Sequence, residues 1–116
     1  MTARETGMAA EALACRYLKR KGYRLLARNY RHGRYEIDLV MEDGETLVFV
    51  EVKARSSLRF GRPAESVTAA KRRFLLTAAL AYMQESGRWD EPARFDVIEV
   101  YLPNKDIVHI SNAFGA

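Results

Sequence analysis

Asp38, Glu51 and Lys53 are charged residues set in segments that otherwise read as apolar, Glu36-Ile37-Asp38-Leu39-Val40 and Phe49-Val50-Glu51-Val52-Lys53. Two carboxylates a few ångströms apart repel, and one pKa rises unless a cation neutralises them. An all-oxygen donor set of this kind suits Mg²⁺ or Mn²⁺. The spacing also admits a second arrangement, a structural ion pair between Lys53 and Asp38 with Glu51 left in water. Charges in such pairs ordinarily sit on exposed faces, not among Leu47, Phe49 and valines.

Two further residues carry charge on an apolar stripe. Glu11 has Gly7 and Met8 one turn before it and Ala14, Cys15 and Leu18 at i+3, i+4 and i+7, which turns its carboxylate toward the core side of a helix. It is either held there by a cation or a hydrogen-bond cage, or it reaches from the edge of the stripe to water. Lys71 lies in line with Phe74, Leu75, Ala78 and Tyr82. It is either a phosphate ligand or a surface lysine with a buried stem.

The elements that must position these groups follow from periodicity and punctuation. Thr6 to Lys21 is Ala-rich, free of Pro and of late Gly, and followed by Gly22, which predicts a helix. Tyr23 to Tyr30 reads as a first strand. Tyr35 to Met41 alternates, with Ile37, Leu39 and Met41 on one face and Glu36, Asp38 and Val40 on the other. In Thr46 to Lys53, Val48, Val50 and Val52 share one face, and Leu47, Phe49, Glu51 and Lys53 the other. The Asp43-Gly44 signal joins these two strands as a hairpin. A two-residue turn sets Asp38 opposite Glu51 and a four-residue turn sets it opposite Phe49; either keeps Asp38 on the face of Glu51 and Lys53. A loop is expected from Ala54 to Val67, a second helix from about Thr68 to Ser86, and strands at Phe95–Tyr101 and Ile107–Ile110. The order is α-β-β-β-α-β-β in a single α/β domain.

The 116 residues, 48% apolar and 29% charged, match ordinary globular chains and argue against disorder, repeats and low complexity. The lone cysteine, Cys15, cannot form an internal disulfide, and with no leader-like opening this predicts a reducing, cytoplasmic setting. No apolar run is long enough for a membrane span, so no membrane association is expected. The net charge is +4, but its distribution says more. Residues 1–34 hold nine basic and two acidic residues, 35–52 six acidic and no basic, 53–84 seven basic and one acidic. An acidic block between two basic ones fits a metal site beside a phosphate-binding surface, and charged surface turns give the same tally. No Gly-rich phosphate loop and no Ser/His/Asp spacing occurs. His109 alternates with apolar neighbours and has no second histidine near enough to suggest zinc.

Asp38 followed one strand later by Glu51-Val52-Lys53 resembles the bipartite motif of the PD-(D/E)XK nucleases. Gly7, Glu11, Tyr17-Leu18, Gly22-Tyr23, Asn29-Tyr30-Arg31, Phe60-Gly61, Lys71, Arg94-Phe95-Asp96-Val97 and Asn112-Ala113-Phe114 look like the YraN family, small bacterial proteins similar in fold to archaeal Holliday-junction resolvases. The resemblance spans essentially the whole chain. It implies a restriction-endonuclease-like core, a mixed β-sheet flanked by helices, and a metal-dependent endonuclease acting on DNA, on branched or single-strand-containing forms. It further implies Mg²⁺ or Mn²⁺ on Asp38 and Glu51, with Glu11 completing the site, Lys53 orienting or deprotonating the attacking water, and Lys71 on a phosphate. Arg55, Arg59, Arg62, Arg72 and Arg73 are nominated as nucleic-acid contacts from charge and position. Asp96 is expected to be structural. Paired incision of a two-fold junction implies a homodimer. The alternative is a nucleic-acid-binding module that keeps the fold and cuts little. One departure is visible: the family usually has Gly directly before Glu36, where this chain has Tyr35, which suggests an altered strand entrance.

Overall fold

The first helix, α1 (Ala3–Arg20), begins where Thr2 and Glu5 close a capping box, Thr2 Oγ1 accepting from the Glu5 amide at 3.1 Å and Glu5 Oε1 from the Thr2 amide at 2.9 Å. This start lies one turn ahead of the expected Thr6, and Thr-x-x-Glu is its sequence signature. The computed structural model describes residues 2–55 and 67–114. Strands β1 (Arg24–His32), β2 (Tyr35–Asp43) and β3 (Thr46–Arg55) form an antiparallel meander. Gly33 and Gly44 open its two-residue turns, both at φ +60°, a backbone shape that costs any other residue strain. Asp43 pairs with Thr46 and Leu39 with Val50, so the β2–β3 turn is the shorter of the two considered. Helix α2 (Ala69–Glu85), capped by Thr68, leads to β4 (Ala93–Tyr101), parallel to β3, and β5 (Asp106–Phe114) returns antiparallel to β4.

The result is the expected mixed α/β order, with a sheet β1-β2-β3-β4-β5 and a helix on each face. On the α1 face, Ala10, Ala14 and Leu18 meet Leu39, Met41, Val48, Val50, Ile98 and Val100. On the α2 face, Leu75, Ala78 and Met83 meet Val40, Leu47, Phe49, Phe95 and Val97. Ile37 belongs to this second cluster, not with Leu39 and Met41 as alternation predicts. Between them the paired steps of β1 and β2 omit Asn29 and Asp38, and Asn29 sits at φ +50°. The register is the same on either side of that step, the bulge of this strand pair lying between Leu25 and Ala27, and the faces of β2 change across Asp38.

Tyr35 enters β2 without strain: the positive φ falls at Gly33, and the Tyr35 ring stacks on Phe74 at 4.9 Å. Strand β5 runs beyond the expected Ile110, and Phe114 stacks on Phe95 at 4.9 Å, which gives the C-terminal apolar pair to the chain's own core. No helix among the described residues is long and apolar enough to cross a membrane.

Asp96 ties β4 to β5. Fully buried, it accepts from Arg94 Nε at 3.1 Å, the Asn112 amide at 2.9 Å and His109 Nε2 at 2.7 Å. Lys21 Nζ lies 3.1 Å from His109 Nδ1. An ammonium only donates, so Nδ1 accepts and Nε2 carries the hydrogen given to Asp96. Burial works to raise the Asp96 carboxyl, but these three donors outweigh it and hold it below the usual carboxylate range. Its stabilisation is present above the unfolded pKa and lost as pH falls through the lower folded value. Asp96→Ala, which leaves His109 Nε2 without its acceptor while Arg94 keeps Asp43 and the Tyr23 hydroxyl, is expected to cost about 2–3 kcal/mol. Urea unfolding checks this, and a loss under 1 kcal/mol, roughly an exposed pair's worth, would contradict it.

Candidate metal and phosphate site

The β2–β3 ladder ends at the Leu39–Val50 pair, and the next two residues, Asp38 and Glu51, are the acids. Past the last paired step the Val52 amide donates to Asp38 Oδ2 at 2.8 Å, so a side chain takes up a backbone group there. This anchors Asp38 where the charge of Glu51 acts on its carboxyl. Burial pushes the Asp38 carboxyl far up, Glu51 adds to that by hydrogen bond and by charge, and the Val52 amide pulls the other way.

Glu51 is 5% exposed. Its Oε2 is buried without a hydrogen-bond partner, although Lys71 Nζ stands 3.3 Å away, close in charge but not aligned as a donor. Lys53 forms no ion pair with any described residue. The alternative of a Lys53–Asp38 pair with Glu51 in water is therefore not the arrangement adopted.

Glu11 approaches from α1. It lines a cleft of about 550 Å³ with Arg4, Gly7, Met8, Asn29, Arg31 and Glu36. Burial raises its carboxyl, a hydrogen bond from Asn29 opposes that, and the charges of Glu36 and Glu51 raise it further, with Arg28 opposing. Glu11 thus stands within electrostatic reach of Asp38 and Glu51. Among the described residues no three His, Cys, Asp or Glu side chains are grouped closely enough to hold a metal alone.

The nominated arginines fall in different places. Arg55 Nε donates to Glu99 Oε2 at 2.9 Å, so its guanidinium is engaged inside the protein. Arg72 lies over the Phe114 ring at 5.3 Å and Arg73 is exposed on α2. Arg59 and Arg62 lie outside the described residues. Two neighbours are not anticipated from sequence, Asn29 and Glu99. Glu99 is fully buried beside Lys53 in the β3–β4 register and also accepts from the Tyr101 hydroxyl. The rule that singled out Glu51, a charge among alternating apolar residues, applies to it equally.

A divalent cation fits these groups. The donors are all oxygen, Glu51 Oε2 is a buried acceptor without a hydrogen bond, and the two carboxylates are not neutralised by an aligned partner. Two carboxylates are too few for an all-protein cage, but Mg²⁺ is usually held by one or two, with water and substrate oxygens as its other ligands.

Fold and site together define a small mixed α/β domain with a paired-carboxylate centre where β2 and β3 part. Residues 10–100 match the family described as "Uncharacterised protein family UPF0102", which corresponds to the YraN resemblance, and the chain belongs to that family. A UPF0102 protein of Symbiobacterium thermophilum is 50% identical over 97 residues, covering 84% of this chain and 82% of its own. One from Clostridioides difficile is 44% identical over 114 residues, 98% of this chain and all of the relative. A third, from Chlorobium chlorochromatii, is 47% identical over 95% of this chain and 91% of its own length.

The raised Asp38 carboxyl makes a prediction about pH. A carboxyl raised in the fold keeps a proton that the unfolded chain has released; its contribution is full below the unfolded value near 4 and is lost as pH rises through the folded value. Metal-free protein should therefore lose stability as pH climbs above about 4. Asp38→Asn keeps an acceptor for Val52 and removes the charge, so it should flatten that slope and gain about 1–2 kcal/mol at high pH. Thermal melts in chelator across a pH series check this, and parallel slopes for both proteins would show that Asp38 does not hold the proton.

Proposed function

We propose that this chain is a divalent-metal-dependent endonuclease that hydrolyses phosphodiester bonds in DNA. The buried Asp38–Glu51 pair carries the reading. Two carboxylates packed against each other at a ladder end cost stability that a purely structural role does not repay, Lys71 stands beside Glu51, and Lys53 follows two residues along β3 on the face of Glu51. The α-β-β-β-α-β-β order supports it, being that of the nuclease-like core the motif resembles.

Bound at this pair, Mg²⁺ or Mn²⁺ supplies Lewis-acid neutralisation of the phosphoryl charge. Asp38 and Glu51 hold the ion, Asp38 being fixed by the Val52 amide. Lys53, on the face of Glu51 and without an ion-pair partner among the described residues, orients the attacking water or takes its proton. Glu11 acts from across the α1 cleft, through water. Lys71, Arg72 and Arg73 on α2 are the proposed contacts to the nucleic-acid backbone, Arg59 and Arg62 being nominated from charge and sequence position alone, while Arg55 first has to leave Glu99 to contribute. A two-fold-related branched substrate calls for a second copy of the chain at fixed spacing, so a homodimer is part of the proposal.

Gel assays on linear, nicked, flapped and four-way DNA with Mg²⁺ or Mn²⁺ test the activity. Cleavage that stops in EDTA, and that falls about 10²–10⁴-fold in Lys53→Met, is the expected result. With roughly five phosphate contacts, binding measured in EDTA should fall with salt at a log–log slope near −4 to −5. Binding without cleavage on every substrate would overturn the enzyme in favour of a binding module, and neither would remove nucleic acid altogether.

A further inference from the structure

We infer that Lys71 is the built-in counter-ion of the carboxylate pair, displaced from Glu51 by an incoming divalent cation and thereby released toward the phosphate. The inference rests on the nuclease reading of this site and adds an order of events to it: metal first, then substrate anion.

Two buried glutamates on adjacent strands make the comparison that carries the argument. Glu99 is completed: Arg55 Nε donates to it at 2.9 Å in an aligned bond, and the Tyr101 hydroxyl takes its other oxygen. That is how a buried glutamate is held when its role is structural. Glu51 is not completed. Its side chain is 6% exposed, yet the cation beside it is an ammonium at 3.3 Å with no hydrogen bond, and Oε2 is left without a partner. A buried acceptor in that condition is one for which a second cation can compete.

Lys71 is built for release. Its backbone is fixed, the amide donating to the Thr68 hydroxyl at 3.1 Å in the first turn of α2. Its side chain is 41% exposed and flexible, so the ammonium can leave Glu51 for water without unpacking the core. Its position is also unfavourable on helix grounds alone. The third residue of a helix favours an acid, the N-terminal dipole repels a cation, and α2 has no acid in its first turn. The contact with Glu51 is what accounts for a lysine there.

Two measurements on the full chain test this. Calorimetric titration with Mn²⁺ should show Lys71→Met binding about three- to tenfold more tightly than the unaltered protein, as removal of a competing ion pair requires. On the unaltered protein, reductive methylation read by mass spectrometry should show Lys71 reacting about threefold faster or more when Mn²⁺ is saturating, since an amine released from its contact with Glu51 is more open to the reagent. Lys19 and Lys105, both exposed, should be unaffected and serve as references. If the unaltered protein binds Mn²⁺ but neither the affinity nor the Lys71 reactivity changes, the displacement is wrong and the metal site stands. If neither protein binds Mn²⁺, the metal site itself falls.

Discussion

A carboxylate can be buried beside another only where something fixes it, and in this chain that something is the Val52 amide. The β2–β3 ladder stops at Leu39–Val50, and Asp38 takes up the Val52 N–H with its side chain. One bond thereby does two jobs. It spares β3 an unsatisfied backbone donor in the sheet interior, and it clamps Asp38 against Glu51 in a geometry where both cannot easily be charged. The change of face on β2 serves the same point: with Asn29 in the left-handed region and no paired step at Asn29 and Asp38, the faces of β2 change where the acid has to turn toward β3.

The remainder of the sheet keeps this local change of face from spreading. β3 is central, its register with parallel β4 running unbroken from Leu47–Ala93 to Arg55–Tyr101. Each face is sealed by a helix, with ten fully or nearly buried residues on the α1 side and twelve on the α2 side among the described residues. At the far edge, Asp96 gathers Arg94, His109 and the Asn112 amide, which locks β5 to β4. Rigid strands therefore carry Asp38, Glu51 and Lys53, as the proposed role of these groups demands.

Much of this was legible in the residues. The element order, both helices and the face shared by Leu47, Phe49 and Glu51 follow from periods of 3.6 and 2 with Gly and Thr as punctuation. Asp38 and Glu51 stood out because charges among alternating apolar residues need a partner. What could not be read is what depends on pairing. The turn length between β2 and β3 follows only from the register, and the face of Ile37 only from the change of face across Asp38 on β2 itself. Glu99 escaped for a different reason: its partner Arg55 lies on another strand, and only the parallel β3–β4 register brings them together.

The two helices treat the acid pair in opposite ways, and this gives the site a direction. From the α1 side Glu11 brings more negative charge toward it, moderated by Asn29 and Arg28, while from the α2 side Lys71 brings positive charge directly onto Glu51. On the proposed reading, a cation is drawn to the α1 side of the pair and a phosphate to the α2 side, where Arg72 and Arg73 follow Lys71 along the helix. On the α1 side the cleft is lined by Glu11 and Glu36 together with Arg4 and Arg31, so its charges balance and the directional charge at the pair is that of Lys71. On that reading it is the local attraction at Lys71, added to the net charge of +4, that orients the strand.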